Sequence, residues 1–233
     1  MIEVLRSARD WIERCALVQP EEDRILSFIK SIGSAPGRRV LDVGCGYGSK
    51  LRKIASAGYE AVGVDVNQDA VTAVRESGLS CLTAGEFRET ADLYDVILMS
   101  HIIEHFDADG LVGFMDSYLD RLKPGGHVLI ATPVFSPRFF EDPDHVRPYH
   151  PGSILMIFGE GDHQVRLRGR HGLRLVDLWY RRQPWSITFA RGIGTSGGFT
   201  LAGLVNLLLA VFHLATCRMA GRVTGWVGLF VKE

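Results

Sequence analysis

The sequence predicts an α/β protein built on a doubly wound, mostly parallel sheet. Three observations predict it. Short apolar runs alternate with helical patterns between residues 21 and 131. The apolar run Val40–Val43 leads straight into the turn Gly44-Cys-Gly-Tyr-Gly48 and then a helical pattern. The next apolar run ends on an acid, Asp65, 21 residues after Gly44. Right-handed crossovers between parallel strands place ligands beyond the carboxyl ends of the strands. Function is therefore expected just after residues 43, 64, 83, 99 and 131.

Each element has its own signal. Residues 21–32 set Ile25, Leu26, Phe28, Ile29 and Ile32 at helical spacing, and Gly33, Pro36 and Gly37 break the pattern. Buried strands are expected at Val40–Val43, Ala61–Val64, Leu79–Thr83 and Val96–Met99. Helices are expected at 48–57, 68–77 and 108–122. The last puts Leu111, Val112, Met115, Leu119 and Leu122 on one face, with Asp107 or Asp109 as its cap. Lys123-Pro-Gly-Gly126 reads as a turn that delivers the strand His127–Ala131. Residues 133–150 hold four prolines and two histidines and read as a loop or lid. A helix near 152–159, a strand near 173–180 and a final strand in GWVGLFVKE follow. The expected organisation is one domain over 1–233. Within it, 133–172 is a substrate lid or insertion and 192–220 an apolar helical insertion before the last strand.

Composition narrows the function classes. A hydrophobic share of 46% and a charged share of 23% belong to a packed globular chain. The net charge of −1 provides no global field for nucleic acid, so no nucleic-acid partner is expected. Cys15, Cys45, Cys81 and Cys217 form no CxxC pair, which argues against a zinc knuckle or disulfide framework. Glu3, Arg6, Arg9 and Asp10 leave no apolar signal core in the first ten residues. A cytoplasmic location is the expectation.

Gly44, Gly46 and Gly48 permit positive φ and close approach of a ligand to the backbone. The helix that follows offers its N-terminus to a carboxylate. Asp65 is placed to accept hydrogen bonds from two ribose hydroxyls. The plainer alternative makes Asp65 a cap for the helix starting near Asn67. Together the two features imply an adenosine-type cofactor.

VLDVGCGYGSKL resembles the first motif of class I S-adenosylmethionine-dependent methyltransferases. AVGVDVN resembles their second, and YDVILMSHIIEHF and LKPGGHVLIATP resemble later ones, in the same order. The resemblance covers roughly residues 20–132 and implies a Rossmann-like methyltransferase sheet with S-adenosylmethionine as cofactor. It implies that Gly44, Gly46 and Gly48 line the methionine part and that Asp42 supports the loop. By the same resemblance Asp65 holds the ribose, Val66 flanks the adenine, Glu86 faces its amino group with Phe87 beside it, and Ser100 lies below the reacting centre. AGEF at 84–87 departs from the commoner Gly-Asp-Ala. A nicotinamide enzyme is the rival for this fold, but its GxGxxG fingerprint has Ser49 at the sixth place here.

His101-Ile-Ile-Glu-His105 matches the HxxEH pattern of inverted zinc proteases. That reading requires a long helix, and here the residues directly follow a strand. Two other readings remain: His105 as a base or substrate contact, and a divalent cation on His101, Glu104 and His105, with His145 or His150 as a fourth ligand. Some relatives carry a cation on an ExxEH segment at this place, and His101 departs from that pattern. Asp142–Tyr149 lies where substrate-binding segments insert in the family, making His145, Arg147 and Tyr149 candidate contacts. Methyl transfer needs alignment, and an alcohol acceptor also needs a base. His105 and His145 are the first candidates for that base, followed by His101.

Residues 192–217 hold no charged residue. Phe199–Cys217 would make a helix of about 28 Å at 1.5 Å per residue. It reads as a membrane span, a lipid-facing surface element, or a buried helix or homodimer contact. Arg166, Arg168, Arg170, Arg174, Arg181 and Arg182 upstream suit a solvated face, anionic lipid headgroups or a phosphorylated substrate. The expected function is methyl transfer to a small molecule, at a hydroxyl of a hydrophobic or lipid-linked acceptor. RNA 2′-O-methylation and cofactor binding without turnover are the alternatives.

Overall fold

The structure is a computed structural model and describes residues 21–34, 36–136, 138–160, 165–187 and 201–233. Seven strands form one sheet: β1 (Arg39–Val43), β2 (Glu60–Asp65), β3 (Ser80–Thr83), β4 (Tyr94–Ser100), β5 (Leu122–Pro133), β6 (Leu173–Gln183) and β7 (Arg222–Lys232). Their order is β3-β2-β1-β4-β5-β7-β6. β1 pairs in parallel with both β2 and β4, and β2–β3 and β4–β5 are also parallel. The chain thus runs outward from β1 to β3 and returns to β4 on the other side of β1. The crevice beyond the ends of β1 and β4 is the topological switch point, where such sheets bind ligands.

The helices are α1 (Glu21–Ile32), α2 (Ser49–Ser56), α3 (Gln68–Glu76), α4 (Ala84–Glu89), α5 (Ala108–Leu119), α6 (Pro151–Phe158) and α7 (Leu201–Ala215). Ile25, Phe28 and Ile29 of α1 pack against Val40, Val96, Leu98 and Leu129. Leu51, Val71 and Val74 pack with Cys45 and Cys81 in a second cluster. Each such side chain contributes about 1.5–3 kcal/mol on burial. Two of the predicted boundaries are settled by caps. Asp107 starts α5 by accepting from Gly110 N–H at 2.8 Å. Asn67 starts α3 by accepting from Asp69 N–H at 3.0 Å and Ala70 N–H at 3.4 Å.

Two sequence expectations are corrected. Lys123–Gly126 is not a free turn but lies inside β5, where the register shifts between Tyr94 and Val96 and Gly125 takes φ +70°. α4 was absent from the periodicity because six residues span less than two helical turns.

Where the sequence suggests one domain, the chain divides into two compact units. One is Glu22–Trp179 with Trp226–Glu233, and the other is Met1–Glu21 with Tyr180–Gly225. In the second unit, Asn206 Oδ1 accepts from Ile187 N–H at 2.9 Å, His213 Nδ1 meets Ala220 O at 2.6 Å, and Arg181 pairs with Glu21 at 2.6 Å. Among the described residues no helix is long and apolar enough to cross a membrane. Residues 192–200 of the expected apolar insertion lie outside the described residues.

The upstream arginines are occupied by the protein's own acceptors. Arg166 meets Asp109 at 3.5 Å, Arg168 donates to Gly159 O, Arg170 pairs with Asp120 at 2.9 Å, and Arg174 pairs with Glu233 at 2.8 Å. Arg182 donates to Gly221 O at 3.4 Å.

Candidate active site

The turn after β1 is held in a left-handed path, with φ +67° at Gly44, +52° at Gly46 and +78° at Gly48. At Gly44 the absence of a side chain is a packing requirement, because a Cβ would collide with the Ile102 side chain. At Gly46 a Cβ would meet nothing within 4 Å. That open space leaves the backbone of the turn accessible to a ligand.

Asp65 organises the turn. Its Oδ2 accepts from Gly46 N–H at 2.7 Å and its Oδ1 from Asn67 N–H at 2.8 Å. The alternative role for Asp65, as the cap of α3, belongs to Asn67. Each carboxylate oxygen has further acceptor capacity, so Asp65 can hold the turn and still receive ribose hydroxyls.

A cavity of about 290 Å³ opens beside this carboxylate. Gly44, Asp65, Val66 and Ala84 form one side, and Ile102, His105, Phe106, Phe114 and Tyr118 form the other. The aromatic side is layered: Phe106 stacks on Phe114 with ring centroids 4.3 Å apart, and Tyr118 stacks on Phe87 at 5.1 Å. An apolar slot ending in a carboxylate suits a flat heteroaromatic base joined to a polar sugar.

Beneath the turn, Asp42 is fully buried and neither carboxylate oxygen has a hydrogen-bond partner. Burial, reinforced by the charges of Asp65 and Glu22 and partly offset by Lys50, pushes its pKa up to about 7. An unpaired buried carboxylate is an energetic liability unless it is protonated or a cationic ligand compensates it. S-Adenosylmethionine is such a ligand, carrying both an ammonium and a sulfonium. The turn, the acid and the cavity fit that group.

The structure places the other expected residues as follows. Val66 is exposed on the cavity wall. Ser100 is buried at the end of β4 with its hydroxyl unpartnered. Phe87 lies behind Tyr118. Glu86 is turned elsewhere: its carboxylate accepts from Thr83 N–H at 2.7 Å in a capping box and pairs with Arg75 at 2.6 Å. Those contacts hold its pKa below the usual carboxylate range. In the present geometry Ala84, not Glu86, meets the cavity. Sequence reasoning missed Ile102, Phe106, Phe114 and Tyr118. Helical spacing on α5 carries the signal for the last two, at i and i+4.

After β4 the chain takes an unusual step. His101 adopts φ +58°, an uncommon value for a residue with a side chain, and its N–H donates to Ala131 O at 2.8 Å. A single 3₁₀ turn, Ile103–His105, follows. The zinc-protease reading required a long helix here and is overturned.

Glu104 is fully buried, and its Oε2 accepts from the Thr132 hydroxyl at 2.9 Å. Its Oε1 lies 3.3 Å from His101 Nδ1, close enough for an ion pair but not aligned as a hydrogen bond. His105 Nδ1 meets Asp144 O at 3.0 Å, and His145 Nδ1 meets Phe139 O at 2.7 Å. A carbonyl only accepts, so both rings carry a proton on Nδ1, and in the neutral ring the lone pair is on Nε2. The two rings sit edge to face, 5.1 Å apart.

Glu104, His105 and His145 each offer a ligand atom, and these atoms lie within 4.8 Å of one another. The expected cation set is revised accordingly: His101 is outside this group, and His150 instead caps α6 by accepting from Gly152 N–H. Tyr149 is also corrected. It is buried, and its hydroxyl donates to Phe106 O at 3.0 Å, so it supports the cavity wall from behind. Arg147 lies over the Tyr149 ring at 5.5 Å.

Removing the Asp65 carboxylate is expected to weaken S-adenosylmethionine binding by about 1–3 kcal/mol, the range for hydrogen bonds to a charged group. Calorimetry on folded Asp65→Ala checks it, and an unchanged affinity would remove Asp65 from the ribose site.

Known proteins agree with this geometry. The family described as "Methyltransferase domain" matches residues 3–176. The chain is 33% identical over 111 residues to the ubiquinone biosynthesis O-methyltransferase of Rhizobium etli, covering 44% of each protein. It is 36% identical over 104 residues to that of Agrobacterium fabrum, covering 41% of each. The aligned part is thus under half the length of these curated relatives. A SAM-dependent methyltransferase from Archaeoglobus fulgidus superposes with a TM-score of 0.59 at 20% identity, covering 91% of this chain and 92% of that one. The N-methyltransferase NodS from Bradyrhizobium japonicum, solved with S-adenosyl-L-homocysteine, gives 0.57 at 14% identity, covering 91% and 85%. The last two likenesses establish the fold. On the glycine turn, the acidic end of β2, the sheet order and the family match, the chain belongs to the methyltransferase-domain family, the S-adenosylmethionine-dependent enzymes of the class I fold.

Proposed function

We propose that this protein transfers a methyl group to a hydroxyl of a small hydrophobic acceptor, a quinone precursor or a lipid-linked glycan intermediate. The observation that carries the reading is one cavity bounded by the Asp65-anchored turn on one side and His105 on the other. The partial likeness to O-methyltransferases named for ubiquinone biosynthesis supports the oxygen acceptor.

S-Adenosylmethionine, when bound, supplies a methyl on a sulfonium that is already an activated leaving group. The protein's residues do the rest. Asp65 and the glycine turn hold the cofactor's sugar and backbone-facing end. Phe106 and Phe114 give the cavity an apolar wall that excludes water. His105, with its proton fixed on Nδ1 by Asp144 O, takes the acceptor's hydroxyl proton at Nε2. His145, fixed in the same tautomer by Phe139 O, stands beside it as a second base. A divalent cation at Glu104, His105 and His145 would act differently, by lowering the pKa of the acceptor hydroxyl.

Transfer of labelled methyl to a panel of hydrophobic phenols and catechols tests the proposal. His105→Ala is expected to lower turnover by about 10²–10⁴, far more than it changes cofactor affinity. Full activity after exhaustive chelation assigns His105 the base role. Loss with chelator and recovery with added Mg²⁺ assigns the cation to the three-residue cluster. Cofactor binding with no transfer to any acceptor would favour binding without turnover.

A further inference from the structure

We infer that Arg147 sets the acceptor specificity of the site and selects acceptors that carry an oxyanion, a carboxylate or a phosphate, beside the hydroxyl. The inference rests on the reading that the acceptor hydroxyl meets His105. Arg147 is laced to the turn that carries this histidine. The backbone N–H groups of Val146 and Arg147 both donate to Glu104 O, at 2.8 and 3.1 Å, and His105 Nδ1 donates to Asp144 O at 3.0 Å. Pro148 steers the backbone of Arg147 away from the helical region. The guanidinium lies over the Tyr149 ring, 5.5 Å from its centroid. That ring is buried, and its hydroxyl donates to Phe106 O at 3.0 Å. Arg147 is therefore tied to two neighbouring residues of the cavity wall, His105 through Glu104 and Phe106 through Tyr149.

The guanidinium is held in place with its charge unspent. Arg147 is exposed, and no carboxylate among the described residues pairs with it. The acids around it are committed elsewhere: Glu141 meets Arg138 at 3.8 Å, Asp142 meets His145 at 3.7 Å, and Asp107 accepts from Gly110 N–H as the cap of α5. The Tyr149 ring offers no lone pair, so the guanidinium N–H groups remain open to a ligand, and their planar fork matches the paired oxygens of a carboxylate or phosphate. Contact with the ring also restricts the side chain before any ligand arrives, which lowers the ordering cost of capture. The cavity itself repels an anion, because the carboxylate of Asp65 lines it. An acceptor therefore places its hydroxyl at His105 and its oxyanion outside the cavity, at Arg147.

Calorimetry on the full chain saturated with S-adenosyl-L-homocysteine, which has no methyl to transfer, tests the inference. The probes are dihydroxybenzoate, dihydroxyphenyl phosphate and, as the neutral control, the methyl ester of dihydroxybenzoate. Wild type is expected to bind one of the anions at least about tenfold more tightly than the ester, as hydrogen bonds to a charged group imply. The tighter anion identifies the group. Arg147→Gln is expected to bring that anion to within about threefold of the ester at unchanged cofactor affinity. Arg147→Lys keeps the charge without the fork and should lose part of the preference. It carries the test alone if the glutamine variant melts early, and an undiminished preference then overturns the inference. Wild type that binds no anion, or binds ester and anions alike, also overturns it. So does a preference that survives in Arg147→Gln, which puts the anion elsewhere, or an equal loss of ester and anion, which reduces Arg147 to a support for Tyr149. Labelled-methyl transfer is read separately. Anion-selective binding without transfer defeats the functional proposal and leaves the anion site standing. Transfer to ester and anions alike, unaltered in Arg147→Gln, does the reverse.

Discussion

Gly46→Val is expected to abolish S-adenosylmethionine binding while leaving the fold in place. The Cβ position at residue 46 is free of protein atoms within 4 Å, so the first atom of the new side chain meets no clash. The backbone there has φ +52°, and holding a side-chain-bearing residue in that region costs about 1–2 kcal/mol. A chain of this size tolerates that loss. The isopropyl group, however, projects into the open space beside the turn whose amide Asp65 holds at 2.7 Å, where the cofactor is expected. Affinity should fall by about a hundredfold or more, equivalent to roughly 2.7 kcal/mol. Calorimetric titration and a thermal melt on the same sample separate the two effects. Affinity within about threefold of wild type would place the cofactor elsewhere. Gly44→Val should behave differently, since its Cβ collides with Ile102 and the damage falls on the fold.

Asp42→Asn is expected to stabilise the protein above neutral pH and to weaken its grip on the cofactor. The Asp42 carboxyl titrates near pH 7 in the folded chain because burial penalises its charge. Its ordinary value is 3.8. Below about pH 4 both folded and unfolded states are protonated and the side chain costs nothing through ionisation. Between pH 4 and pH 7 only the unfolded state ionises, so stability falls as pH rises. Above pH 7 the penalty is constant, on the order of 4 kcal/mol for a shift of about three units. The amide removes it. The expected result is a melting temperature raised by several degrees at pH 8 and little changed at pH 4. A cationic ligand favours the ionised carboxylate, so wild-type affinity should weaken as pH falls from 8 to 6 and the variant's should not. Equal melting temperatures for both proteins at pH 8, with parallel affinity profiles, would show that Asp42 is compensated from within the chain.

The sheet and the glycine turn were legible because their causes are local. A short apolar run bounded by turn residues fits a buried strand, and the glycines of a GxGxG turn permit the positive φ that a tight strand-to-helix turn uses. Asp65 was legible for the same reason, as an acid ending such a strand. The sequence by itself determined the α/β class, the strand positions, the cofactor type and the turn that receives it.

Tertiary structure decided what depends on neighbours distant in the chain. Glu86 was expected to face the cavity, but Arg75, on the preceding helix, draws its carboxylate away, together with a capping box to Thr83 that the local Thr-x-x-Glu spacing already carried. The carbonyls of Asp144 and Phe139 set the tautomers of His105 and His145 from 39 and 6 residues away. They also bring the two rings together while His150 goes to a helix cap. The inside-out orientation of α7 was equally hidden. Hydrophobicity shows that a helix has apolar residues, but only the partners of Asn206 and His213 show which face turns inward. A buried polar group must find its hydrogen bonds, and that requirement, which no local pattern encodes, fixes the rotation of the helix and leaves the leucines outside.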